Sequence, residues 1–449
     1  MKTEPLLSHG DLDAIFAWCP DGPVSVADYL ADARALAEHL PPAGYLLNLC
    51  HDRYRFAVGF AAGLIRGMTS LQPSSQSAET FQRLFGDYPN LICLCDAPAD
   101  TQDLPRVDFP DLAAVNRKNA QKPQFSVPLI PADHLAAILF TSGSTGLPQA
   151  QRKTWGKLVA NGRAEAIALG LDRRPHAIVG TVPVQHSYGF ESTFLLALQG
   201  GCTFWAGKPF FPQDITCALD AVPRPRLLVT TPFHLSALLS ADIDLPPLDL
   251  LLSATAPLST ALAANAEART GAPMLEIYGS TESGQLASRR TTEGAEWTLL
   301  PGVRLEPSGD ETIACGGHVE GRIALSDLIE LLPDHRFLLH GRHTDLINIA
   351  GKRTSLAYLN HQLGAVPGVV DGAFFMPDEE GPDGITRLTA FVVAPGLTAR
   401  QVTVALRQRI DAIFLPRPLV LVDQLPRNST GKLPRGDLQA LYADKVNHA

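Results

Sequence analysis

Short apolar runs that end in turn residues recur along this 449-residue chain, with helix-length segments between them. Tyr45–Leu49, Leu135–Phe140, Ile178–Val182, Leu227–Val229, Leu248–Leu252 and Leu275–Tyr278 each read as a buried strand, while Tyr54–Arg66 carries its apolar residues at helical spacing. Strands alternating with helices build an α/β sheet rich in parallel pairs, and ligands of such sheets gather beyond the strand C-termini. Residues 100–131, polar and proline-containing, read as a surface connection. From Gly341 the order changes to strand (Asp345–Ile349), helix (Leu356–Leu363), two strands (Val369–Phe375, Leu388–Val393), helix (Ala399–Ile413), strand (Leu419–Val422) and a last helix. The expectation is a large α/β domain over 1–340 and a small α+β domain over 341–449.

Charge separates the same two units. Residues 341–449 hold 12 Lys+Arg against 10 Asp+Glu, a net +2, so the first 340 carry −11 of the overall −9. That balance gives no reason to expect nucleic acid or an acidic membrane surface as a partner. No apolar run approaches the ~20 residues of a membrane span, and Met1-Lys2-Thr3-Glu4 lacks the apolar core of a signal peptide. Seven cysteines without metal spacing suit a reducing cytoplasm, with Cys93 and Cys95 read as buried thiols in an apolar run.

Three strand ends carry chemistry. After the strand ending at Phe140 comes Thr141-Ser142-Gly143-Ser144-Thr145-Gly146-Leu147-Pro148, whose glycines and hydroxyls leave many backbone N–H groups free to wrap an oxyanion. It lacks the Gly-Lys-Ser/Thr ending of a P-loop, and a Ser/Thr/Gly segment is also a common surface turn. The second end, Tyr278-Gly279-Ser280-Thr281-Glu282-Ser283-Gly284, offers an aromatic face, a hydroxyl and a carboxylate: a base to stack on, a phosphate contact and a Mg²⁺ ligand. The plain alternative makes Tyr278 a core residue and Glu282 a helix N-terminal charge. Third, Asp327 and Arg342 close two neighbouring strands and suit ribose hydroxyls. Lys432 sits on a glycine turn, Ser429-Thr430-Gly431-Lys432, where a lone lysine is normally solvated.

In this order the motifs resemble the adenylate-forming superfamily of acyl-CoA synthetases, peptide-synthetase adenylation domains and luciferases, from about Tyr45 to Arg435. The resemblance implies a large ATP- and carboxylate-binding domain and a small mobile domain carrying the catalytic lysine. It implies that Thr141, Ser142, Gly143, Ser144, Thr145 and Gly146 hold the β- and γ-phosphates, and that Tyr278 and Gly279 lie against adenine, with Ala256 beside it. Thr281 would contact the α-phosphate, Glu282 would bind Mg²⁺, and Asp327 and Arg342 would bind ribose. Lys432 matches the lysine that bridges carboxylate and α-phosphate. His186, in Gln185-His186-Ser187-Tyr188-Gly189-Phe190, matches the aromatic motif of the carboxylate pocket; a satisfied core histidine is its bland counterpart. Thr344 falls at the hinge position. The implied cofactors are ATP and Mg²⁺, and the implied chemistry is an acyl-adenylate followed by attack of a thiol.

Departures from the family pattern bear on substrate. Gln149 replaces the usual lysine after the phosphate loop, and Arg152 and Lys153 are expected to make up the charge. Leu325-Ser326-Asp327 replaces Thr-Gly-Asp, and Thr255 stands where glycine is frequent. The short large domain resembles ligases of aryl-polyene and xanthomonadin-type pigment pathways, which load an aromatic acid such as 4-hydroxybenzoate onto an acyl carrier protein. His186, Ser187, Tyr188, Phe190 and Thr255 would then line a short aryl pocket with a polar end. Coenzyme A is the alternative acceptor. A luciferase-like monooxygenase and a non-catalytic nucleotide-binding scaffold are the competing readings. Against the scaffold, Glu282, Asp327, Arg342 and Lys432 are all retained.

Overall fold

The apolar runs form the parallel middles of two large sheets. The protein is described by a computed structural model over residues 2–73, 75–97, 105–112, 126–141, 149–241, 243–309, 311–342, 346–349, 352–377, 388–428 and 433–445. One sheet has six strands in the spatial order Gln149–Thr154, Leu135–Thr141, Thr69–Gln72, Tyr45–Asn48, Leu91–Cys95 and Arg106–Asp108. Only its first pair is antiparallel. Arg106–Asp108 lies inside the stretch expected as a connection; it is a short strand on the Cys93 edge, with Arg106 and Asp108 exposed.

The second sheet has eleven strands. Its parallel run is Ile15–Cys19, Thr203–Trp205, Ala177–Gly180, Arg226–Thr230, Leu250–Ser253 and Met274–Ser280. Beyond Met274–Ser280 the sheet turns antiparallel through Gly284–Arg290, Glu296–Leu299, Arg336–Arg342 and Asp327–Leu332. Helix Arg53–Ile65, capped by the Asp52 carboxylate and buried along most of its length, lies within the core that the two sheets share. There Phe60 packs on Phe190 and Phe194, with ring centroids 5.4 and 5.2 Å apart. A mixed α/β architecture with parallel-rich sheets is therefore what the chain forms.

The C-terminal elements have cores of their own. A hairpin (Leu346–Ile349, Lys352–Ser355), helix Leu356–Gly364, strands Asp371–Phe375, Thr389–Val393 and Leu419–Leu421, and helices Ala399–Leu406 and Arg435–Lys445 make up this part. Their buried apolar side chains form two clusters drawn from residues beyond 346. The expected helix 399–413 stops at Leu406. Val402, Leu406, Ile410 and Phe414 all face the core, but Asp411 takes an extended backbone and caps a separate turn, Ala412–Phe414. All seven cysteines are free thiols, and Cys93 and Cys95 are buried as expected. No described helix is long and apolar enough to cross a membrane.

Candidate active site

Strands Met274–Ser280 and Gly284–Arg290 form a hairpin whose register pairs Ser280 with Gly284, leaving Thr281, Glu282 and Ser283 as its tip. Glu282 thus sits on a hairpin tip, not at a helix N-terminus. The Ser280 and Ser283 hydroxyls are 3.1 Å apart, and the Ser283 N–H donates to the Ser280 hydroxyl at 3.2 Å, which closes the turn. Gly279 is required by close approach: a Cβ there would lie 2.3 Å from the Gly284 carbonyl oxygen. One residue earlier, the Tyr278 ring leans on Trp297 and Phe337, and its hydroxyl donates to the Asp327 carboxylate at 2.8 Å. Asp327 and Arg342, fifteen residues apart in sequence, are direct partners across one antiparallel ladder.

The neighbouring strand Leu250–Ser253 is followed by the loop holding Thr255 and Ala256. The Leu258 N–H donates to the Glu276 carboxylate at 3.0 Å, and Arg289 pairs with the same carboxylate at 2.6 Å, which holds that loop beside Tyr278. Thr255 has φ +78°. A β-branched residue in the left-handed region carries strain on the order of 1–3 kcal/mol. The preference for glycine at this position therefore has a backbone cause, and the threonine accepts strain to place a branched hydroxyl side chain there.

The segment from His186 to Phe190 divides in two. His186 caps the short turn Ser187–Gly189, its Nδ1 accepting from the Tyr188 N–H at 3.3 Å. The Ser187 hydroxyl is 3.2 Å from that of Thr281, so this segment abuts the hairpin tip. Tyr188 and Phe190, expected on the pocket wall, are instead core residues. The Tyr188 hydroxyl donates to the Leu252 carbonyl at 3.0 Å, and burial pushes that phenol well above its ordinary range. Phe190 has no exposed surface. Alternating aromatic and polar letters could not distinguish wall from core here, since Phe60 reaches Phe190 from a distant segment.

The Thr141 hydroxyl, at the end of Leu135–Thr141, is buried and without a hydrogen-bond partner among the described residues. Ser142, Gly143, Ser144, Thr145, Gly146, Thr344 and Lys432 lie outside the described residues, as does the side chain of Arg342. Lys153 was expected to stand in for the missing charge at Gln149, but it turns inward. It is 5% exposed, and its Nζ donates to the Glu282 carbonyl at 2.8 Å. Arg152, the next residue back, is exposed. A lysine in Gln151-Arg152-Lys153-Thr154 reads as a solvated charge, so sequence reasoning missed this contact.

Below the tip lies a buried polar layer. Burial raises Glu191 to about 7, held back by the Lys153 charge and the Asn161 side chain. Burial raises Glu165 to about 8, only partly offset by Ser192 and Gln285, which bond each other at 2.6 Å. Burial also lowers the Lys153 amine, opposed by Glu191, Glu320 and Glu282.

The exposed edge of this arrangement suits a magnesium nucleotide. Glu282 is the one carboxylate residue of the tip, next to Thr281, whose hydroxyl lies 3.2 Å from that of Ser187, and the described residues contain no group of three or more His, Cys, Asp or Glu side chains placed to hold a metal ion. Mg²⁺ is commonly held by one or two carboxylates, with phosphates and water completing its shell, whereas an all-protein cage suits other ions.

Residues 91–311 match the AMP-binding enzyme family. The 4-coumarate–CoA ligase of Rhodobacter capsulatus is 31% identical over 282 residues, covering 62% of this chain and 68% of that protein. The chain belongs to the AMP-binding enzyme family. A second 4-coumarate–CoA ligase, from Halorhodospira halophila, is 30% identical over 67% of this chain and 76% of that protein. In fold, the chain matches ATP-bound MatB from Rhodopseudomonas palustris with a TM-score of 0.83 at 21% identity, over 97% of both chains. As a member of the family it is an AMP-forming acid–thiol ligase, which activates an acid to an acyl-adenylate. The family uses ATP, typically with Mg²⁺.

Proposed function

We propose that this ligase activates an aryl acid, such as 4-hydroxybenzoate, and passes the acyl group to the phosphopantetheine thiol of an acyl carrier protein. A carboxylate oxygen attacks the α-phosphorus of ATP and pyrophosphate leaves; a thiol sulfur then attacks the acyl carbon and AMP leaves. The observation that carries this reading is the convergence of Tyr278, Asp327, Thr281, Glu282 and Ser187 at one strand end. Tyr278 and Gly279 bind adenine with Ala256, Asp327 and Arg342 bind ribose, and Thr281 contacts the α-phosphate. Thr141, with the loop Ser142, Gly143, Ser144, Thr145 and Gly146, takes the β- and γ-phosphates. Glu282 would hold Mg²⁺, which when bound neutralises phosphate charge as the two anions meet.

The acid lies against His186, Ser187 and Thr255, whose surfaces are partly open. Its aryl character is supported by the likeness to 4-coumarate–CoA ligases. Residues 341–449 act as a mobile domain that turns about Thr344 and brings Lys432 to the carboxylate for the first step. Lys432→Ala should then abolish adenylation and spare thiolation of a supplied acyl-adenylate.

For the acceptor, Arg400, Arg407, Arg409 and Arg417 are exposed and make no ion pair among the described residues, a surface suited to an acidic carrier. The relatives' activity with coenzyme A favours that thiol as the second reading. Offering coenzyme A and a holo carrier in parallel decides between them. Reversing the four arginine charges should slow carrier loading at least about 10-fold and leave adenylation unchanged; unchanged loading would reject this surface as the carrier's docking face.

A further inference from the structure

Lys153 joins the two large sheets through one hydrogen bond. It belongs to Gln149–Thr154, the edge strand paired with Leu135–Thr141, so its backbone is tied to the strand that ends at Thr141. Its side chain ends on the Glu282 carbonyl, in the hairpin of the other large sheet. The next residues are sewn to a different place: the Thr154 N–H and hydroxyl both donate to Glu320 at 2.7 Å, and Lys157 donates to the Gly317 carbonyl at 2.7 Å. These anchor the start of helix Trp155–Ala168, and Lys153 alone among them reaches the hairpin tip.

The tip also has little room to settle elsewhere. Gly284 has φ +72°, and a Cβ there would meet Asn161, His318 and Glu191 atoms at 3.3 to 3.7 Å. A buried lysine is an expensive way to fill space, since desolvating its amine opposes folding. An apolar side chain would fill the volume but remove the donor to the Glu282 carbonyl. A long donor therefore makes sense where two sheets must hold a fixed separation.

We propose that Lys153 is a positioning residue for adenylate formation, fixing the Glu282 backbone relative to strand Leu135–Thr141 so that the metal-side carboxylate meets the nucleotide in register. This rests on the reading in which Glu282 holds the Mg²⁺ of Mg·ATP. In this role it acts through the Glu282 carbonyl, with its side chain buried. Glu191 provides the strongest of its facing charges, with Glu320 and Glu282 behind it.

The test compares Lys153→Met, the double variant Lys153→Met/Glu191→Gln and Glu282→Gln in the full-length enzyme. Three quantities are followed: acid-dependent pyrophosphate exchange against Mg²⁺ concentration, calorimetric binding of Mg·AMPCPP and of metal-free AMP, and Tm. Lys153→Met should lower the exchange kcat about 10- to 100-fold, as a small misplacement of a reacting group does. It should raise half-saturating Mg²⁺ and weaken Mg·AMPCPP binding several-fold, while AMP binding and the KM for acid stay within about two-fold. The double variant, without the strongest of the facing charges, should recover Tm but keep the Mg²⁺ defect. Recovery of Mg²⁺ dependence together with Tm, or an unaltered Mg²⁺ dependence in Lys153→Met beside an altered one in Glu282→Gln, would reduce Lys153 to a packing role. An unaltered Mg²⁺ dependence in Glu282→Gln would overturn the site reading itself, and the proposal with it.

Discussion

The Tyr278 hydroxyl donates to Asp327 at 2.8 Å, joining the hairpin strand to the ladder in which Asp327 pairs with Arg342. The aromatic face and the carboxylate proposed for adenine and ribose are thus one unit. Tyr278→Phe keeps the ring but removes this hydrogen bond to the carboxylate. A hydrogen bond to a charged group contributes roughly 1.5–3 kcal/mol, so the KM for ATP should rise about 10-fold or more while the KM for acid holds. Steady-state kinetics varying each substrate in turn checks this.

Thr255 predicts a coupled change in stability and substrate range. Glycine relieves left-handed strain but gains unfolded-state entropy, leaving a net stabilisation of about 1 kcal/mol for Thr255→Gly. It also removes the branched side chain from the proposed acid pocket. Urea denaturation should show the stabilisation, and pyrophosphate exchange should shift toward bulkier acids.

Gly279 predicts the opposite. The Cβ of Gly279→Ala would strike backbone atoms of Gly284 and Gln285, so the hairpin must open or shift. Stability should fall by about 2 kcal/mol or more, and exchange should fall with it even though no functional group is lost. Differential scanning calorimetry beside the exchange assay reads both.

Glu165 predicts a pH dependence of stability. Its carboxyl, raised by burial from 4.5 to about 8, is protonated in the fold where the unfolded chain has lost the proton. Its contribution is full below about pH 4.5 and disappears as pH rises through about 8, with a slope up to about 1.4 kcal/mol per pH unit. Glu165→Gln keeps a neutral side chain throughout. Its stability relative to the wild type should therefore grow from pH 5 to pH 8; parallel curves would contradict the assignment.

What the amino-acid order reveals follows from how local each cause is. Leu135–Thr141 and Arg226–Thr230 are continuous apolar runs because parallel strands are covered on both faces, and they are legible for that reason. Asp327–Leu332 has no buried residue and Glu296–Leu299 only Trp297, so both are hidden among charged residues. The site's end points, Tyr278, Glu282 and Asp327, stand at strand ends and could be picked out. Lys153 could not, because its burial depends on an opposing sheet about 130 residues away in sequence. Tyr188 was misplaced for the same reason: Leu252, which accepts its hydroxyl, is remote in the chain.

The central claim is that the hairpin tip at Glu282 is where an acid meets ATP. Acid-dependent exchange of labelled pyrophosphate into ATP, compared between the wild type and Glu282→Gln over a panel of aryl and fatty acids, tests it most directly. The wild type should exchange with a hydroxyaryl acid, and the variant should lose about 100-fold with its fold intact by circular dichroism. No exchange with any acid, or equal exchange in both proteins, would contradict it.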